Sequence, residues 1–181
     1  ALWKASEGFL AHASNGLQPT SPPTDETLRE VHENALILLY RLLFVLYAEA
    51  RGLLPLASNE RYRNRHSLDA IKKEIADEPG DTWLTRGTDL WSRLRTLFQA
   101  IDEGESELGV PCFNGGLFSG KGHPRLNEWV MGDKALAGTI DQLARVKGAF
   151  VDYRDLASQH LGTIYEGLLE KNAQDTKGGA G

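Results

Sequence analysis

Side chains able to do chemistry are spread unevenly along this chain, and their densest group is cationic. Arg61, Arg63 and Arg65 alternate through residues 59–66 beside Tyr62 and His66, and Lys72 and Lys73 follow closely. Guanidinium forks match phosphate oxygens, and a tyrosine can add a polar or stacking contact. Arg61, Arg63, Arg65, His66, Lys72 and Lys73 are therefore candidates for contacts to a DNA backbone. The competing expectation is a solvated loop whose arginines pair with nearby acids such as Glu60 or Asp69.

Other patterns come close to a catalytic motif and fall short. Gly115 to Gly122 reads GGLFSGKG, but Gly122 stands where a phosphate-binding loop needs a Ser or Thr for magnesium. Ser21-Pro22-Pro23-Thr24 resembles the Pro-Pro tetrapeptide with which amino-methyltransferases hold a flipped adenine, yet Thr24 cannot stack on a base. Asp175-Thr176-Lys177 supplies half of a metal-dependent nuclease site, in a polar tail and without a second carboxylate. His12, His32, His66, His123 and His160 form no i, i+4 pair, and Cys112 with His123 makes a single weak couple, so no metal ligand set is assigned. No catalytic residue is identified within the chain, and whether it works as an enzyme stays open at this point.

Composition narrows the class. The 181 residues suffice for one domain with a real core, with 41% apolar and 25% charged side chains, as in globular proteins. The formal charge of −5 argues against a small module that coats nucleic acid with its whole surface, while leaving room for a local basic stripe. A lone cysteine, Cys112, excludes an internal disulfide and fits the reducing cytoplasm. The most apolar run, residues 35–48, is fourteen residues long and contains Arg41, which is short for a bilayer span. A core helix is expected there, with no membrane as partner.

The elements that must position these groups read as helices around one glycine-rich interruption. Apolar spacing predicts helices over residues 1–13, 25–51, 67–77, 83–102, from 133 onward, and over about 155–171. The second has Thr24 as N-cap, acidic Asp25 and Glu26 in its first turn, and Gly52 and Pro55 as stop signals. It is apolar on every face, so Arg41 needs an acidic or carbonyl partner, whereas Glu49 and Arg51 are expected where the helix re-emerges. Residues 104–124 form a glycine-rich loop with enough apolar residues to be tucked onto the helices, and a short strand is allowed near Val110 or Phe150. The expected fold is a mainly α multi-helix bundle over residues 1–172 around the buried helix 25–51, with a flexible tail at 173–181.

Three blocks together carry a family resemblance: LLYRLLFVLYAEARGLLP (Leu38 to Pro55), FNGGLF (Phe113 to Phe118) and DYRDLASQHLGTIYEGLLE (Asp152 to Glu170). Their order and spacing resemble the helical region of type IIG and related bacterial restriction-modification proteins with an adenine-specific DNA methyltransferase, over about residues 28–171. The resemblance implies a parent chain in which this region connects a nuclease domain to the methyltransferase core. S-adenosylmethionine would be the cofactor of that parent and not of this segment. It carries over no catalytic residue, and the family's serine- and tyrosine-rich run does not follow Glu170. Tyr40, Arg41, Glu49, Phe113, Asn114, Gly115, Gly116, Tyr165 and Glu166 lie in the matching blocks and are expected to serve structure.

The functional expectation is a non-catalytic connector that spaces nuclease and methyltransferase domains and touches the DNA backbone through the basic loop. The alternative is a free-standing helical protein-interaction module, such as a phage-defence accessory.

Overall fold

The computed structural model describes residues 1–17, 22–113 and 115–156. The architecture is mainly α, with helices α1 (Leu2–Ala11), α2 (Asp25–Ala50), α3 (Leu68–Asp77), α4 (Asp89–Glu103), α5 (Arg125–Glu128) and α6 (Asp133–Ala144). A two-stranded hairpin, β1 (Arg145–Val146) and β2 (Ala149–Phe150), follows α6 directly. Its two-residue turn, Lys147-Gly148, has positive φ at both positions, the backbone that matches the twist of the strands.

The α2 helix organises the bundle. Thr24 caps it, its hydroxyl accepting the Thr27 N–H at 3.2 Å, a contact worth about 1 kcal/mol. At the other end Gly52 takes φ +73°, the Leu53 N–H returns to the Ala48 carbonyl and the Gly52 N–H to that of Glu49. This double closure needs a left-handed residue, and glycine adopts it without Cβ strain. By length and hydropathy α2 also meets the measure of a membrane span, because the helix runs beyond the fourteen apolar residues counted in the sequence. A core helix meets the same measure, and α2 packs against α1, α3 and α6.

The core is built from Phe9 of α1, Leu38, Leu42 and Val45 of α2, Leu94 and Leu97 of α4 and Leu136 and Ile140 of α6. Phe9 meets Trp91 edge-on at 5.5 Å and lies against Trp129 at the same spacing. The α1 and α6 helices approach closely at Gly8, where a Cβ would come within 2.9 Å of Ala135 on α6 and 2.8 Å of Met131 just before it. Asn15 joins the ends of the fold: its side-chain nitrogen donates to the Val130 carbonyl while its oxygen accepts the Val130 N–H, each at 2.8 Å.

Two expected boundaries shift. Trp83 and Leu84 lie outside helical structure, and α4 begins only at Asp89. Tertiary contact prevents the extension: the Asp133 carboxylate accepts the Leu90 N–H, and the Asp133 N–H donates to the Gly87 carbonyl. A Cβ on Gly132 would overlap the Thr85 carbonyl oxygen. The second shift is at residues 59–66, expected as a loop, where Tyr62–His66 form a π-helical turn closed by the Ser67 N–H on the Tyr62 carbonyl. The helix expected over about 155–171 and the tail at 173–181 lie outside the described residues, which stop at a short 3-10 turn, Tyr153–Asp155, and Leu156.

Candidate functional site

The basic segment runs from the π-helical turn into α3, and the structure divides its cations by their partners. Arg61 is exposed and faces Glu107 at 3.6 Å, a pairing that solvent screens almost completely. Arg63 is half-buried and donates from Nη1 to the Leu56 carbonyl at 3.1 Å, so it staples the turn to the chain before it. Lys72 and Lys73 both reach Asp69, at 3.3 and 2.6 Å, and Lys72 also lies 5.0 Å from the centre of the Phe150 ring. Burial raises the Asp69 carboxyl, but Lys73 and Lys72 outweigh it and hold the group below its ordinary value. Arg65 is exposed, with no ion pair to the described residues. His66 is half-buried; desolvation, with Arg61 and Arg65 beside it, lowers its pKa and favours the neutral ring.

Tyr62 does not face a ligand. It is completely buried, and its hydroxyl donates to Glu49 Oε1 at 2.8 Å. Glu49 is itself buried at 6% exposure, which corrects the expectation that it lies where α2 re-emerges. Its Oε1 also accepts the Leu68 N–H and its Oε2 the Asp69 N–H, both at 2.8 Å. A carboxylate from α2 thus closes the open N–H groups at the start of α3, helped by the Ser67 hydroxyl accepting the Ala70 N–H. Burial pushes the Glu49 carboxyl up to about 7 against the pull of the Tyr62 hydroxyl and the two backbone N–H groups. The same burial, with Glu49 beside it, drives the Tyr62 hydroxyl well above its ordinary value, so it stays a donor.

The glycine-rich loop folds onto α2 as expected, and Arg41 is the peg. This guanidinium is 3% exposed and donates from Nε to the Leu117 carbonyl at 2.8 Å. It lies over the rings of Phe98 and Phe118 at 5.3 and 5.6 Å. Phe44 meets Phe113 and Phe118 edge-on at 5.4 and 5.3 Å. A cavity of about 550 Å³ opens beside Arg41, walled by Arg95 and Gln99 of α4 and by Gly120. His123 is lowered by burial and then by the nearness of Arg41.

Among the other residues singled out from sequence, Tyr40 is buried, which raises its hydroxyl pKa. Gly115 and Gly116 are exposed, and Gly116 takes φ +73°. Lys121, in the near-miss phosphate loop, is exposed, and α5 begins four residues later without a preceding strand among the described residues. Asn114, Tyr165 and Glu166 lie outside the described residues. No group of three or more His, Cys, Asp or Glu side chains gathers in a metal-binding arrangement among the described residues.

Sequence reasoning missed Glu49 as a cap and Asp133 as the tie between α4 and α6. Nothing local signals either, because the N–H groups they accept come from other elements. The chain matches no protein-family model, no curated protein and no solved structure.

Proposed function

We propose that this chain is a non-catalytic helical connector of a bacterial restriction-modification protein of the type IIG kind, whose partners are the nuclease and adenine-specific methyltransferase domains of the parent chain. S-adenosylmethionine would act in that methyltransferase domain. One observation supports this reading above others: the first two blocks that resemble the family, and the described start of the third (residues 152–156), meet around the C-terminal half of α2. Arg41 holds the Leu117 carbonyl, Phe44 lies against Phe113 and Phe118, and Arg51 reaches the Arg154 carbonyl at 3.5 Å. Their side chains serve packing and backbone closure, which is the work of a spacer.

Contact with DNA would fall chiefly to Arg61, Arg65 and His66, because Arg63, Lys72 and Lys73 are already turned to partners within the fold. Such contacts add affinity without reading bases.

The exposed Trp3 and Leu84, at 74% and 69%, favour a second reading, a helical module that docks another protein. Sequencing the encoding gene on both sides of this chain separates the two. A frame that continues past Gly181 into a methyl-donor glycine loop and an Asn-Pro-Pro-aromatic motif supports the connector. Stop codons closing the frame at both ends overturn it and move the search to a partner protein.

A further inference from the structure

Away from the basic turn, α1, the segment ahead of α4 and the first turn of α6 enclose a cavity of about 750 Å³. That volume falls inside the roughly 300–1,000 Å³ range of small-molecule sites. Lys4, Arg86 and Lys134 line it, with Glu7 as the single carboxylate among its lining residues. None of the three cations has an ion-pair partner among the described residues, a property they share with several other exposed cations such as Arg65 and Lys121. Three exposed cations without ion pairs thus line one concavity in a chain of net charge −5, so an anion entering it meets a locally positive wall.

The walls suit a ligand with a charged head and an apolar body. Gly8, Ala11 and Ala135 give the cavity an apolar stretch of wall where α1 and α6 pack closely. The backbone N–H groups of Asp133 and Lys134 are already given to the Gly87 and Leu84 carbonyls, so the site is one of side chains. Asp133, behind the wall, turns its carboxylate to the Leu90 N–H. His12 accepts the Ser14 N–H at Nδ1, which places its ring proton on Nε2, a buried nitrogen without a hydrogen-bond partner.

We propose that this cavity binds a small organic phosphate, its head held by Lys4, Arg86 and Lys134 and its body resting on the small residues of α1 and α6. Three cations against one carboxylate leave two positive charges at the rim, matching the nearly dianionic state of a phosphate monoester at neutral pH. Cations lining a concavity favour a ligand that enters over a duplex that lies across a stripe. The inference stands apart from the connector reading.

Isothermal titration calorimetry of the chain at low ionic strength tests it, with inorganic phosphate, a nucleoside 5′-monophosphate and a duplex oligonucleotide as probes. Saturable binding of the monophosphate is expected, weakened roughly tenfold or more in Arg86→Ala/Lys134→Ala. Lys4→Gln gives an independent reading from α1, and thermal melting of each variant reports that it is folded. No saturable heat from either phosphate at millimolar concentration overturns the proposal. Unchanged affinity in folded variants, or binding of the duplex alone, overturns it as well.

Discussion

Replacing Glu49 with alanine tests the most distinctive contact in the fold. The substitution takes an acceptor from three donors at once: the Tyr62 hydroxyl and the backbone N–H groups of Leu68 and Asp69. Each buried donor left without a partner costs about 1–3 kcal/mol. Relief from holding a carboxylate in a dry site offsets part of that sum, which leaves a net loss of about 3–5 kcal/mol. A domain is typically stable by only about 5–15 kcal/mol, so the loss is easily seen. Urea unfolding followed by tryptophan fluorescence measures it, since Trp91 and Trp129 are buried in the core. The pH dependence sharpens the test. Burial raises the folded-state carboxyl from 4.5 to about 7, so the folded chain binds the proton more tightly than the unfolded one. Glu49 therefore favours folding most at low pH, and about 3 kcal/mol of stability is lost as pH climbs from about 4.5 to about 7. Glu49→Gln, which mimics the protonated group, removes this slope, and its deficit against wild type narrows as pH rises. A loss under about 1 kcal/mol for Glu49→Ala, or parallel pH profiles for wild type and Glu49→Gln, refutes the reasoning.

Changing Arg61 and Arg65 together to alanine should weaken DNA binding by the parent protein at low salt and flatten its salt dependence by about 2 logarithmic units per decade, roughly one per lost phosphate contact. Filter binding across a salt series measures this, and unchanged binding removes the basic turn from the DNA interface. Gly132→Ala should cost about 2 kcal/mol or more, because its methyl overlaps the Thr85 carbonyl and must push the segment ahead of α4 aside. A thermal melt like that of wild type would contradict the packing described here. Asn15→Ala should cost about 2 kcal/mol by breaking both bonds to Val130, and accelerated amide exchange at Val130 would be its local signature.

Features that depend on neighbouring residues were legible in the chain, and features assembled from distant ones were not. Thr24 and Gly52 bound α2 as capping chemistry requires, and the all-round apolar character of residues 36–47 correctly demanded a partner for Arg41. That partner being the Leu117 carbonyl, 76 positions away, is a tertiary fact. Glu49 sits near a helix end, where acids usually face water, and only the return of the chain at Tyr62 buries it. Trp83 and Leu84 continue the apolar spacing of α4, but Gly87 and Asp133 lock the backbone into another path. For the basic segment, composition identified the cations correctly, while their division into Asp69-bound lysines and outward Arg61 and Arg65 depends on how α3 meets the turn. Lys4, Arg86 and Lys134 lie in three separate stretches of sequence, so no window along the chain brings them together.

The bond pair between Asn15 and Val130 also sets an order of events during synthesis. These residues are 115 positions apart, and α1 packs on α6 through Gly8. On a ribosome adding about 5–20 residues per second, α1 emerges on the order of ten seconds ahead of α6, with α2 arriving in between to pack on it. Through that interval Phe9 has neither Trp91 nor Trp129 to cover it. Of the elements described, α1 is synthesised first, α2 follows and packs on it, and Trp91, Trp129 and α6 close over Phe9 only afterwards.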